Sequence, residues 1–248
     1  MRVLPLASFF ITACFALTAQ AQVPKDTPRD FPTRFTSKDT SVRQQAAKAY
    51  ARGCKGRQRH QFRRASEGWQ GYQQLLKDKN ADVVLAALAM STCFKANKTL
   101  PLLADLSQHK SLKVMHEALT LLAHMENVAA LSSFGKWLKE KSEFCASTKQ
   151  NKLDLCHLAL YGLGQSSQHS ATDATERILA GDILKPFLKD SHPKTRKVAA
   201  MALILGGALG DKKEVGKLLK NENSGHFPQA NSPENLQAIS TLLAKMGR

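Results

Sequence analysis

After its first twenty residues the chain has no long uncharged apolar run, so no later segment reads as a membrane span. Period-two alternation is also nearly missing, which removes β-strands from the expectation. No CxxC occurs, so neither a thioredoxin-like redox site nor a zinc ribbon is offered. The stretch Met115-His116-Glu117-Ala118-Leu119-Thr120 lacks the second His of a zinc-protease helix. Gly162-Leu163-Gly164-Gln165-Ser166-Ser167 ends in Ser where a dinucleotide fingerprint needs Gly or Ala. GxSxG and GxxxxGK[ST] do not occur. The eight His residues show no ligand spacing, and His116 and His157, near apolar stripes, read as structural. No carboxylate pair stands out. The expectation is a chain that is not an enzyme, with no catalytic residue, metal site or cofactor.

Acid is scarce too: 20 Asp+Glu face 36 Lys+Arg, a formal net charge of +16. The excess is uneven, because residues 25–64 hold twelve basic side chains against Asp26, Asp30 and Asp39. Its densest part is CKGRQRHQFRR, residues 54–64. Arg52, Lys55, Arg57, Arg59, Arg63 and Arg64 are therefore candidates for binding an anionic partner. Phe62, Trp69 and Tyr72 follow closely and are candidate aromatic contacts. Basic groups interleaved with aromatics suit single-stranded nucleic acid, anionic lipid headgroups or an acidic protein patch. A solvated loop with ordinary packing aromatics explains the same residues. Asn97-Lys98-Thr99 matches a glycosylation sequon, a short match common by chance.

The N-terminus has the layout of a cleaved secretory signal. Arg2 supplies the positive end, Val3 to Leu17 is mostly apolar, and Ala19-Gln20-Ala21 is a small-x-small cleavage site. We expect residues 1–21 to be removed, 22–37 to form an extended Pro-containing segment, and 38–248 to form the folded domain. Export to a bacterial periplasm, or secretion, follows. Ile11-Thr12-Ala13-Cys14 resembles a lipobox, but apolar residues continue past Cys14, so lipidation is the minority reading. Removing Cys14 leaves Cys54, Cys93, Cys145 and Cys156, an even number that points to two disulfides with three connectivities.

The rest of the chain repeats. Val42 and Ala46 are spaced like Val83 and Ala87, Val114 and Ala118, Leu155 and Ala159, and Thr195 and Ala199. The Ala positions 46, 87, 118, 159 and 199 are separated by 41, 31, 41 and 40 residues, and each is followed by another apolar residue. This spacing makes one apolar helix face, with a small residue where a neighbouring helix can approach closely. Second amphipathic stretches alternate with these at 69–78, 100–108, 128–140, 178–190 and 215–221, and a last, loosely fitting helix is expected near 233–246. Gly53, Asn80, Ser111, Ser191-His192-Pro193 and Ser232-Pro233 mark the turns.

Helix pairs of about forty residues with a small residue at a fixed place resemble HEAT repeats. Ser41-Val42-Arg43-Gln44-Gln45-Ala46-Ala47 and Pro193-Lys194-Thr195-Arg196-Lys197-Val198-Ala199-Ala200 carry the resemblance best. It covers residues 38–247 and implies an all-α fold, an α-solenoid of about five to six helical hairpins. The short third repeat and Thr195 in an aliphatic position depart from the pattern. In such a stack Cys54 and Cys93 lie near the ends of adjacent inner helices, and Cys145 and Cys156 face each other across one hairpin. The favoured pairs are thus Cys54–Cys93 and Cys145–Cys156, with Gly53 giving the chain freedom to close the first. The resemblance speaks to architecture; together with the export signal, the cysteine parity and the missing catalytic motifs it leads us to expect an exported scaffold or adaptor that binds a partner protein, with its basic end toward an acidic or anionic surface. Some HEAT-like proteins are DNA glycosylases and others bilin lyases. DNA binding is the alternative should the N-terminus not be an export signal.

Overall fold

A computed structural model describes residues 28–206 except 58, 126–127 and 169–171. Among these residues every regular element is helical. The α-helices are α1 (Pro32–Phe35), α2 (Thr40–Gly53), α3 (Arg59–Arg64), α4 (Ser66–Leu75), α5 (Ala81–Leu88) and α6 (Ala96–Leu106). They continue as α7 (Leu112–His124), α8 (Val128–Glu140), α9 (Gln150–Ser167), α10 (Ala174–Leu184) and α11 (Pro193–Leu205). Short 3-10 turns fill Pro28–Asp30, Ala89–Cys93, Ser142–Phe144 and Lys185–Lys189. Residues 1–27, the stretch 215–221 and the helix expected near 233–246 fall outside the described residues.

Helices α2, α5, α7, α9 and α11 touch one another in succession. Helix α4 packs on α5, α6 on α7, α8 on α9, and α10 on α9 and α11. Along this second row α6 touches α8 and α8 touches α10. Ala46, Ala87, Ala118, Ala159 and Ala199 are all fully buried within the first row. A methyl group at each helix-helix crossing permits a close approach, so the apolar core runs unbroken from Phe31 to Leu203.

The repeat is visible in the turns as well as in the core. Ser37, Asp78, His109 and Asp190 each stand nine positions before a unit's Ala. Each accepts the backbone N–H two residues on, at Asp39, Asn80, Ser111 and His192, at 2.8 to 3.2 Å. The inner helix of those four units then starts six residues before its Ala, at Thr40, Ala81, Leu112 and Pro193. Arg43 and Arg196 occupy the same place, three before the Ala. The Arg43 guanidinium donates to the carbonyls of Ser37 and Lys38, and that of Arg196 to Asp190 and Ser191. Arg43 also makes a bidentate pair with Asp78 of the next turn, at 2.6 and 3.2 Å. Short polar side chains that accept from the backbone two residues on are the usual way to close a tight turn before a helix. In the fourth unit α9 begins nine residues before Ala159, one helical turn early.

Several boundaries differ from expectation. Residues 28–35 are helical rather than extended, because Phe31 and Phe35 are buried against Tyr50. Helix α6 starts at Ala96 and runs through Pro101, burying Thr99 and Leu100 ahead of it. The sequon hydroxyl of Thr99 is fully buried and bonds the carbonyl of Ala96, so the folded chain does not present it. Phe31, Phe35, Tyr50 and Phe62 form one aromatic cluster, and the Tyr50 hydroxyl donates to the Phe62 carbonyl at 2.7 Å. Burial pushes the Tyr50 phenol up to about 12, with the Glu67 charge adding to it. In the second row the Trp137 indole N–H donates to the Ser107 carbonyl at 2.9 Å, tying α8 to the end of α6.

Both cysteine pairs are bonded, Cys54 to Cys93 and Cys145 to Cys156. Cys54 follows the last residue of α2 and Cys93 ends the 3-10 turn after α5, with 5.4 Å between their Cα atoms. That is well inside the roughly 8–10 Å between packed helix axes, so the bridge forms where the chain has left the helices. Gly53 does not act as a hinge here. A side chain on it would overlap the Phe62 ring, so its smallness serves packing. The second pair encloses the turn between α8 and α9, with Cα atoms 5.1 Å apart.

Candidate anion-binding cleft

The basic run is not one loop. Lys55 and Arg57 lie in the turn after α2, whereas Arg59–Arg64 form α3. One apolar residue makes that helix possible: Phe62 is buried in the aromatic cluster. Arg59, Arg63 and Arg64 stay exposed around it, as does Arg52 at the end of α2. Phe62 and Tyr72 are 3% and 0% exposed, so neither can contact a ligand. Their distance from solvent corrects the expectation that all three aromatics are contacts. The Tyr72 hydroxyl is buried without a partner, and desolvation raises its pKa. Trp69 alone is half-buried.

Trp69 lies in a cleft of about 580 Å³ where α3 and α4 meet the start of α6. Arg63 and Arg64 line it from α3 and Lys95 and Lys98 from the start of α6, together with Trp69, Phe94, Ser66, Gln70 and Thr92. Trp69 and Phe94 meet edge to face, ring centroids 5.1 Å apart, and the Lys98 ammonium stands 5.6 Å above the Trp69 ring. The Cys54–Cys93 bridge fixes the wall through Cys93. Among the described residues no acidic side chain lines the cleft and no carboxylate pairs with its four cations. Glu67 is outside the lining but at its edge: its carboxylate accepts from the Ser66 hydroxyl at 3.2 Å, and its own backbone N–H, with Ser66, lowers its pKa.

Arg52, Lys55, Arg57 and Arg59 are exposed outside the cleft and extend its positive field. Lys95, Lys98 and Phe94 were not expected, since they belong to the next unit. The signal was present in Cys93-Phe94-Lys95-Ala96-Asn97-Lys98. If Cys93 pairs with Cys54, this second basic and aromatic stretch must abut the first.

Among the described residues the histidines hold no comparable site. His116 is exposed, and His157 is buried between α9 and α11. His157 Nε2 is 3.1 Å from the Thr195 hydroxyl, while its Nδ1 has no partner. Burial first, and the Lys194 charge second, press its pKa down to about 4 against the pull of Asp154. Among the described residues no three His, Cys, Asp or Glu side chains gather to hold a metal ion. No helix there is long and apolar enough to cross a membrane.

No family model matches the chain. No curated protein matches it either.

Proposed function

We propose that the chain is an exported, periplasmic α-solenoid of HEAT-like hairpins that works as an adaptor, holding a partner protein by its basic N-terminal end. The observation that carries this reading is the cleft between α3, α4 and α6, with four cations, no acid and one accessible indole. The two cysteine pairs favour an oxidising compartment. The in-step turns and buried Ala positions favour the repeat architecture.

A DNA-binding or glycosylase-like protein is the alternative. It needs cations along successive inner helices. The outward face of that row instead mixes Lys48, Lys113 and Lys197 with Asp82, Glu117 and Asp154. On our reading the chain acts by binding, through the cleft, and not by catalysis.

The intact mass of the native protein, taken without reductant, tests the compartment. A mass lacking residues 1–21 and four hydrogens is expected; a full-length mass with free thiols favours DNA binding. Reversing Arg57, Arg59, Arg63 and Arg64 to Glu tests the surface. It should abolish crosslinking to the partner and leave thermal stability unchanged; unchanged crosslinking refutes the assignment.

A further inference from the structure

The adaptor reading leaves the partner's chemistry open, and the cleft narrows it. Its volume of about 580 Å³ falls in the range of true ligand sites, about 300–1,000 Å³. Four cations without a paired carboxylate call for more than one negative charge. The edge-to-face Trp69–Phe94 pair offers an apolar wall beside those charges. Helix α6 starts at the same wall on Lys95, whose side chain cannot accept from the first-turn N–H groups. These donors and cations fit carboxylates, and the covalent bridge behind Cys93 holds the wall before any ligand arrives.

Two other polyanions fit less well. Stacking of a single-stranded nucleic acid needs successive open ring faces; with Phe62 and Tyr72 buried, the half-buried Trp69 and Phe94 are left in the cleft, and they meet edge to face instead of offering two parallel faces. A membrane surface is met by a convex face with apolar side chains that insert. Here the cations line a concavity, and the large exposed apolar side chains among the described residues, Tyr161, Ile178 and Leu179, lie on α9 and α10.

We propose that this cleft binds an extended acidic segment of a partner protein, with Asp or Glu carboxylates on Arg63, Arg64, Lys95 and Lys98 and one apolar side chain against Trp69 and Phe94. The inference rests on the adaptor reading and gives it a ligand.

The probe is a fluorescently labelled synthetic peptide of alternating Asp and Glu around a central Leu, titrated into the purified chain and read by anisotropy. Saturable binding that weakens with salt is expected, and Lys95→Glu with Lys98→Glu should weaken it at least about tenfold. Both lysines are exposed, and an unchanged circular dichroism spectrum confirms the variant's fold. A peptide with Ser for Leu should bind several-fold more weakly to the native chain, and this difference should vanish in Trp69→Ala. No binding at low salt, or equal binding by the lysine variant, overturns the proposal. Tighter binding of a charge-matched oligothymidylate or of anionic phospholipid vesicles overturns it in favour of nucleic acid or lipid. If the cleft assignment alone is wrong, crosslinking to a partner survives the lysine reversal. If the adaptor reading alone is wrong, the peptide binds but the native chain crosslinks to no protein.

Discussion

Replacing Cys54 and Cys93 together by Ala cuts the tie between the first helical pair and the second, and its effect can be compared with cutting the other tie. The first bridge joins residues 39 apart and the second joins residues 11 apart. In the chain-entropy account a cross-link stabilises by restricting the unfolded chain, with a logarithmic dependence on loop length. That gives about 4 kcal/mol for the longer loop and about 3 kcal/mol for the shorter. All four cysteines are buried, and Ala leaves no unsatisfied hydroxyl in their place. Urea unfolding of the two double variants, followed by circular dichroism, measures both losses. Each bridge also has its own reporter. Trp69 lines the cleft beside Cys93, and Trp137 meets Phe144, the residue before Cys145, edge to face. Helices α2, α5, α7, α9 and α11 touch in succession, so a lost bridge should loosen its own end first. Trp69 emission should therefore shift at lower urea than Trp137 emission in Cys54→Ala/Cys93→Ala, and the order should reverse in the other variant. A larger loss from the shorter loop, or coincident shifts at both tryptophans in both variants, refutes the reasoning.

Two further predictions concern the core. Gly68→Ala would drive a methyl into the Tyr50 ring and hydroxyl, breaking the bond to the Phe62 carbonyl; a loss of about 1–3 kcal/mol in urea unfolding is expected, and no loss would refute the packing. His157 has a folded-state pKa depressed to about 4 from an ordinary 6.5, so below pH 6.5 the unfolded chain binds the extra proton and stability falls. About 3 kcal/mol should be lost between pH 6.5 and 4, set first by burial of the ring, with Lys194 and His192 adding to the shift and Asp154 opposing it. His157→Gln should flatten that part of the stability profile; an unchanged slope refutes the assignment.

Much of the fold is legible in the residues because packing at helix crossings leaves a periodic trace. The stretch 128–140 coincides with α8, and the five Ala positions all fall in the core. What stays hidden depends on neighbours far away in sequence. Trp69 and Tyr72 share a face of α4, and nothing local says which one Phe94 will cover more fully. Arg59–Arg64 has one apolar residue in six, too few for a period, so its helix comes from the anchoring of Phe62. The amphipathic stretch read as 100–108, yet α6 begins four residues earlier at Ala96, since Leu100 and Thr99 have a core to enter. The candidate site was half visible. Arg63, Arg64 and Trp69 could be named, whereas Lys95 and Lys98 meet them only across a disulfide.

That same disulfide sets how the molecule carries load. A pull applied between the two ends of the helical row passes through the Cys54–Cys93 sulfurs, so the 39 residue steps between them cannot extend. About 130 Å of contour is locked away at the basic end, against about 37 Å at the second bridge. Under tension the cleft end keeps its shape and the far end of the row pays out chain. The wall of the cleft built from α3 and α4 is therefore the part of the molecule that tension reaches last.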